Sequence, residues 1–106
     1  MMKISISPEA ADYLNAKGGE ITIFPGGLTG FFIGNVPKPM VEIGHPRGSL
    51  RNYQVIYEKG IRVFIDRYFD SNDEAAEIVL EKDLWWNSIA CRYSHYGNGT
   101  LDGDVE

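Results

Sequence analysis

At 106 residues, with 43% apolar and 24% charged side chains, the chain has the size and composition of one globular domain rather than of a disordered segment. Its net charge of −5, with ten Lys and Arg scattered singly, excludes the basic patch that nucleic acid or an anionic membrane surface requires. The single cysteine, Cys91, excludes an intramolecular disulfide, and no apolar stretch approaches the roughly 20 residues of a membrane-spanning helix.

The opening Met-Met-Lys-Ile-Ser-Ile-Ser-Pro has no secretory apolar run, so the expected location is cytoplasmic. Lys3 to Ser7 alternates polar and apolar residues and predicts a short strand with Ile4 and Ile6 on one face. Ser7-Pro8-Glu9 then starts a helix over about residues 8–17. Ser7 suits the cap, Pro8 the first turn and Glu9 the positive helix end. Ala10, Tyr13, Leu14 and Lys17 share one face, and Gly18-Gly19 stops the helix. Glu20 to Phe24 predicts a second strand. Gly26-Gly27-Leu28-Thr29-Gly30 breaks it, and Phe31 to Gly34 and Met40 to Ile43 read as strand pieces. Pro37-Lys38-Pro39 between them marks a sheet edge or a loop, because proline donates no ladder hydrogen bond.

Tyr53 to Ile65 is the strongest strand signal, a hairpin turning at Lys59-Gly60. Ser71-Asn72-Asp73-Glu74 has the capping-box pattern and predicts a second helix near residues 72–77. Ile78 to Glu81 fits either its continuation or a strand. Trp85 to Tyr93 reads as extended, with Trp85, Asn87, Ile89 and Cys91 on one face; of the adjacent Trp85 and Trp86, one is expected in the core and the other at a partner or dimer surface. Gly97 to Glu106 has little to bury. These pieces, about six to eight short strands and two helices without a βαβα order, predict a mostly β α+β domain of mixed or antiparallel strands over residues 1–99 and a flexible acidic tail over 100–106.

Few residues carry chemistry. The glycine loop offers backbone amides to an anion but lacks a P-loop lysine, and it reads first as a tight bend. His45 and His95 are too few for a metal site of three or four ligands; His45, beside Pro46, is expected to be an exposed loop residue without a function. Cys91 and His95 share a face if residues 91–95 are extended, which makes a Cys–His pair conceivable but leaves it without an orienting third group. Cys91 is expected to pack as a small buried hydrophobe. Asp66, Asp70, Asp73 and Glu74 crowd the turn after the hairpin without the spacing of a calcium loop.

Taken in order, several of these segments resemble one family. The first strand and helix, Glu20-Ile21-Thr22-Ile23-Phe24, the loop Gly26-Gly27-Leu28-Thr29-Gly30-Phe31, the hairpin ending Gly60-Ile61-Arg62-Val63-Phe64-Ile65-Asp66, and Glu77-Ile78-Val79-Leu80-Glu81 are similar to the HesB/IscA-like A-type iron–sulfur carriers across about residues 3–99. Tyr96-Gly97-Asn98-Gly99 stands where that family carries Cys-Gly-Cys-Gly. The resemblance implies a small β-sandwich-type domain with two helices, often dimeric, whose three cluster ligands would fall at Leu28, Tyr96 and Asn98. None is a cysteine. It further implies that Leu28, Thr29, Tyr96 and Asn98 line a former cluster site with His95 nearby.

The leading expectation is therefore a non-enzymatic protein with no cofactor, acting through a protein partner, a homodimer or a small ligand. Two alternatives stand beside it. One is iron–sulfur assembly or iron delivery, with Cys91 and His95 as ligands shared across a homodimer. The other is a thiol enzyme using Cys91 as nucleophile.

Overall fold

The computed structural model describes residues 2–26, 38–71 and 75–94 of the chain. Strand β1 (Lys3–Ile6) leads into helix α1 (Pro8–Ala16), followed by β2 (Glu20–Pro25), β3 (Pro39–Ile43), β4 (Tyr53–Glu58), β5 (Ile61–Asp66), β6 (Ala75–Lys82) and β7 (Asn87–Ser94). Short 3-10 turns at Leu50–Asn52 and Arg67–Phe69 precede β4 and follow β5. The strands form a three-stranded sheet in the order β1-β6-β7 and a four-stranded sheet in the order β3-β2-β5-β4. The mostly β, α+β class expected from the sequence is the class observed.

Helix α1 forms where the capping signals place it. The Ser7 hydroxyl accepts the Ala10 amide at 3.2 Å, and Pro8 sits in the first turn. At the other end the Gly19 amide donates to the Leu14 carbonyl at 2.8 Å, closing the last turn as a Schellman motif does. That closure needs a positive φ, which Gly18 supplies at 108°. Ala10, Ala11 and Leu14 are buried and face the core.

Both sheets are mixed. In the smaller one β1 runs parallel to β6, with Ile6 beside Ile78, and β6 pairs antiparallel with β7. In the larger one β2 runs parallel to β5, with Ile21 beside Val63 and Ile23 beside Ile65, while β3 and β4 pair antiparallel on the outside. The Lys59-Gly60 turn of the β4–β5 hairpin has positive φ at both residues, 51° and 81°, the signature of a type I′ connection. The core lies between the sheets. Met2, Ile6, Leu14, Ile21, Ile23, Ile61, Val63, Ile65, Phe69 and Ile78 are buried in it with three alanines. At the sheet margins β3 lies against β7 and β1 against β4. The Lys59 ammonium donates to the Ile6 carbonyl and so ties the hairpin turn to the other sheet.

Two expectations change. Residues 75–77 are not helical; they open the eight-residue strand β6, and one α-helix, not two, is present among the described residues. Ala76, Ile78 and Leu80 alternate onto the core face, and β6 is paired on both sides, by β1 and β7. Pairing on both sides over Ala75 to Ile78 outweighs the local helix signal. The capping-box residues 72–74 lie outside the described residues, as do the strand piece Phe31 to Gly34 and the tail. The second change concerns the tryptophans. Strand β7 begins at Asn87, so Trp85 and Trp86 belong to the β6–β7 turn, and neither is in the core.

The packing makes two substitutions informative. Ile78→Ala removes a fully buried side chain at the centre of the smaller sheet and is expected to cost about 3 kcal/mol. Gly60→Ala meets no neighbour but is held at positive φ, so it is expected to cost about 1 kcal/mol. Urea unfolding followed by circular dichroism checks both values.

Candidate functional site

The margin where β3 meets β7 holds a cleft of about 270 Å³, lined by Lys38, Pro39, Met40 and Val41 on one side and Ile89, Ala90 and Cys91 on the other. Both strands are edges of their sheets and no ladder joins them. The side chains of β3 and β7 line the gap between two unpaired edges. Pro37-Lys38-Pro39 was expected at an edge or a loop, and Pro39 does open the edge strand β3.

Gly26 explains part of this geometry. Its amide donates to the Lys38 carbonyl at 2.7 Å, one step beyond the Pro25–Pro39 pair of the β2–β3 ladder. A Cβ there would stand 2.8 Å from Met40 Cγ and 3.0 Å from the Lys38 oxygen. The first glycine of the loop is thus required by close packing, in line with a tight bend. The rest of the loop, including Leu28 and Thr29, lies outside the described residues. So do His95, Tyr96 and Asn98, and the proposed neighbourhood of these residues is not among the contacts described.

Cys91 lies opposite Ile78 in the β6–β7 ladder, half-buried and packed against the core. Burial pushes its thiol from the ordinary 9.0 up to about 11, with the Lys38 ammonium pulling weakly the other way. The thiol is therefore protonated at neutral pH, and its side chain serves as a wall of the cleft. Low-pKa, accessible thiolates react; this thiol has a raised pKa and is only partly exposed. Among the described residues no group of three or more His, Cys, Asp or Glu side chains is placed to hold a metal ion.

His45 differs from its expectation. It is half-exposed, as expected of a loop, but its ring stands edge-on to buried Phe64, with centroids 4.9 Å apart. Phe64 faces away from the main core, beside Thr22 in the parallel register. The Thr22 hydroxyl donates to the Gly44 carbonyl at 2.9 Å, and Gly44, with φ 114°, turns the chain so that His45 covers the outer face of the larger sheet. His45 Nδ1 is also 3.4 Å from Glu20, which accepts from Arg62 at 3.1 Å. The role is structural cover. The carboxylates of the turn are locally engaged as well: Asp66 accepts the Tyr68 amide at 2.8 Å, and Asp70 pairs with Arg67 at 3.4 Å. Asp73 and Glu74 lie outside the described residues.

Sequence reasoning missed Lys38 and Met40 as cleft residues. Their only signal was the position of the Pro-Lys-Pro segment, which marks an edge but not what the edge faces. It also placed one of Trp85 and Trp86 in the core. Both are exposed, by 81% and 60%, beside Leu84 at 89%. The turn that displays them is well formed: the Asp83 amide donates to the Trp86 carbonyl at 2.8 Å, and the Asp83 carboxylate accepts the Leu84 amide at 2.7 Å.

A small mostly β α+β scaffold with one edge-to-edge cleft is the class that this geometry defines. The family model described as "CC/Se motif containing family" matches residues 2–93, and the chain belongs to that family. No curated protein matches it. With Cys91 as its single cysteine, this chain contains no two adjacent cysteines. No helix among the described residues is long and apolar enough to cross a membrane, which says nothing of a β-barrel.

Two measurements test the cleft. Gly26→Ala forces a Cβ into Met40 and the Lys38 carbonyl and is expected to cost about 1–3 kcal/mol, read by urea unfolding. Cys91 supplies a pH signature. Its pKa is raised on folding, so the unfolded chain loses the proton first as pH rises. Its contribution is intact below 9.0 and is lost between there and about 11. Unfolding curves across that interval are expected to show a smaller fall in stability for Cys91→Ala than for the native chain.

Proposed function

We propose that this chain is a non-enzymatic binding domain on a HesB/IscA-like scaffold that has lost cysteine-based iron–sulfur cluster binding and acts through protein or small-ligand contacts. The observation that carries this reading is the β3–β7 cleft. Gly26 and Lys38, at the two stems of the glycine loop, pack around Met40, and Met40 shares the cleft with Cys91, four residues before His95. The stems of both segments named by the resemblance therefore converge on one margin of the fold. The ligand positions Leu28, Tyr96 and Asn98 offer no thiolate, and a soft cluster is poorly served by an alkyl group, a phenol or an amide.

The raised pKa of the half-buried Cys91 thiol weighs against the thiol enzyme, since the attacking species is the thiolate; against a shared cluster stands the lack of thiols at the ligand positions that the resemblance implies. A cleft lined by Pro39, Met40, Val41, Ile89 and Ala90, with Lys38 and Cys91 among them, suits contact better than catalysis.

Anaerobic reconstitution with iron and sulfide tests the reading. The expected product is colourless, retains no stoichiometric iron, and behaves as Cys91→Ser does. A stable brown protein whose colour is lost in Cys91→Ser would replace this reading with cluster binding shared across a homodimer. Native-state labelling of Cys91 by a thiol reagent at neutral pH is expected to be at least about tenfold slower than in denaturant. Equal rates would revive the thiol enzyme.

A further inference from the structure

The two facing edges leave backbone groups unpaired in the cleft. The Gly26 amide donates to the Lys38 carbonyl and the Gly44 amide to the Glu20 carbonyl. By the alternation of an antiparallel ladder, Lys38, Met40, Glu42 and Gly44 are therefore the residues that bond β2, and Val41 points its amide and carbonyl away from it. On β7 the Asp83 amide donates to the Trp86 carbonyl in the register of the β6–β7 pairs, so Ser88, Ala90 and Arg92 bond β6. Ile89 and Cys91 point theirs outward, as does Asn87, whose carbonyl accepts the Tyr13 hydroxyl at 3.3 Å. Val41, Ile89 and Cys91 all line the cleft, and no ladder among the described residues takes up their amides.

The one charge in the cleft selects the sign of its occupant. Lys38 is the single charged side chain among the seven lining residues, and no described carboxylate pairs with it. It stands close enough to Cys91 to pull the thiol's pKa down against the effect of burial, and the protonated thiol does not neutralise it. An anion that accepts from the ammonium and from an edge amide makes charge-assisted hydrogen bonds, the stronger kind. The rest of the lining calls for an apolar body, and Met40, 43% exposed, is a flexible thioether that adapts to its shape.

Size narrows the class further. A volume of about 270 Å³, at roughly 30 Å³ per water-sized group, holds about nine heavy atoms. A peptide strand laddered to both edges does not fit. The Cα atoms of β3 and β7 come within 8 Å of each other, whereas such a strand would hold the edges about 9.6 Å apart. A multiply charged phosphate finds one cation here, on a chain of net charge −5.

We propose that the β3–β7 cleft binds a small monocarboxylate with an alkyl chain, about five to seven carbons in all. Its carboxylate lies on Lys38 and the unpaired edge amides, and its chain lies against Pro39, Val41 and Ile89. The inference rests on the contact reading of the cleft and names its ligand class.

Titration of the full chain with sodium hexanoate at neutral pH, read by 1H–15N NMR, tests it. The amides of Val41, Ile89 and Cys91 are expected to shift together and to saturate with a dissociation constant of about 1 mM. Lys38→Gln keeps the carbonyl that Gly26 needs, so its unfolding midpoint is expected to stay unchanged while its affinity for hexanoate falls at least about fivefold. Lys38→Arg keeps the charge and is expected to bind within about twofold of the native chain. Hexanamide, the neutral isostere, is expected to bind at least about fivefold more weakly than hexanoate. No saturable shift of these amides up to about 20 mM hexanoate overturns the proposal, and so does binding that Lys38→Gln leaves unchanged. Hexanamide binding as tightly as hexanoate overturns it in favour of an uncharged ligand paired to a strand edge. Iron reconstitution separates this failure from failure of the underlying reading. A colourless chain that ignores hexanoate loses only the ligand class, whereas a stable brown one overturns the contact reading whatever hexanoate does.

Discussion

The parallel pairing of β2 with β5 is the constraint from which the rest of the fold follows. Ile21 and Ile23 of β2 and Val63 and Ile65 of β5 lie side by side on one face, and Thr22 and Phe64 lie side by side on the other. All six are buried, so neither face of this pair is left to water. Parallel strands also need a long connection, and here β3, a polar loop and β4 supply it. The inner face is covered by the smaller sheet and α1. Among the described residues the outer face carries no second layer of secondary structure, and the segment after β3 covers it. Gly44 turns the chain, Thr22 holds the Gly44 carbonyl, and the His45 ring closes over Phe64. A histidine in a loop is in this way a consequence of a doubly buried central strand pair.

The same arrangement creates the cleft. With β2 and β5 central, β3 is left as an edge of one sheet, and β7 is an edge of the other. The two edges face each other without hydrogen bonds, across a space narrowed by Pro39, Met40 and Ile89. At the opposite margin Lys59 bridges to the Ile6 carbonyl, and the fold is tied there by a side chain rather than by a ladder. Edges are a hazard because their free backbone groups recruit other strands. Setting β3 against β7 and β1 against β4 shields both pairs, and Pro39 at the start of β3 removes a donor as well.

Elements whose signal is local were legible in the sequence. Ser7-Pro8-Glu9, Gly18-Gly19 and Lys59-Gly60 each fix a backbone geometry through their own chemistry, and α1 and the β4–β5 hairpin stand where those residues place them. Elements decided by distant partners were not. Ala75-Ala76-Glu77 follows a capping box and is helix-forming by composition, yet it lies between β1 and β7, and only the fold supplies those neighbours. Trp85 continues the alternation of Ile89 and Cys91 on paper. The chain turns between Lys82 and Asn87, and the alternation has no meaning across a turn. At the site, Cys91 was legible as a packing residue because a lone thiol in an alternating strand has few other uses. Lys38 and Met40 were not, because their partners lie some fifty residues away in sequence on another sheet.

Strand β7 joins the exposed turn to the β3–β7 cleft. The turn that leads into it carries the exposed tryptophans, and its middle carries the single thiol, on the core face opposite Ile78. Around the cleft the chain carries a glycine that permits close approach at Lys38, a proline-bounded edge, and a thiol whose burial suppresses its ionisation. A protonated thiol costs the core little, since it packs as a small apolar group. A thiolate in the same place would have to shed its hydration beside Ile89 and Ala90, with only one lysine to offset the loss. The packing that stabilises this margin is therefore the same packing that disfavours ionisation of the Cys91 thiol there.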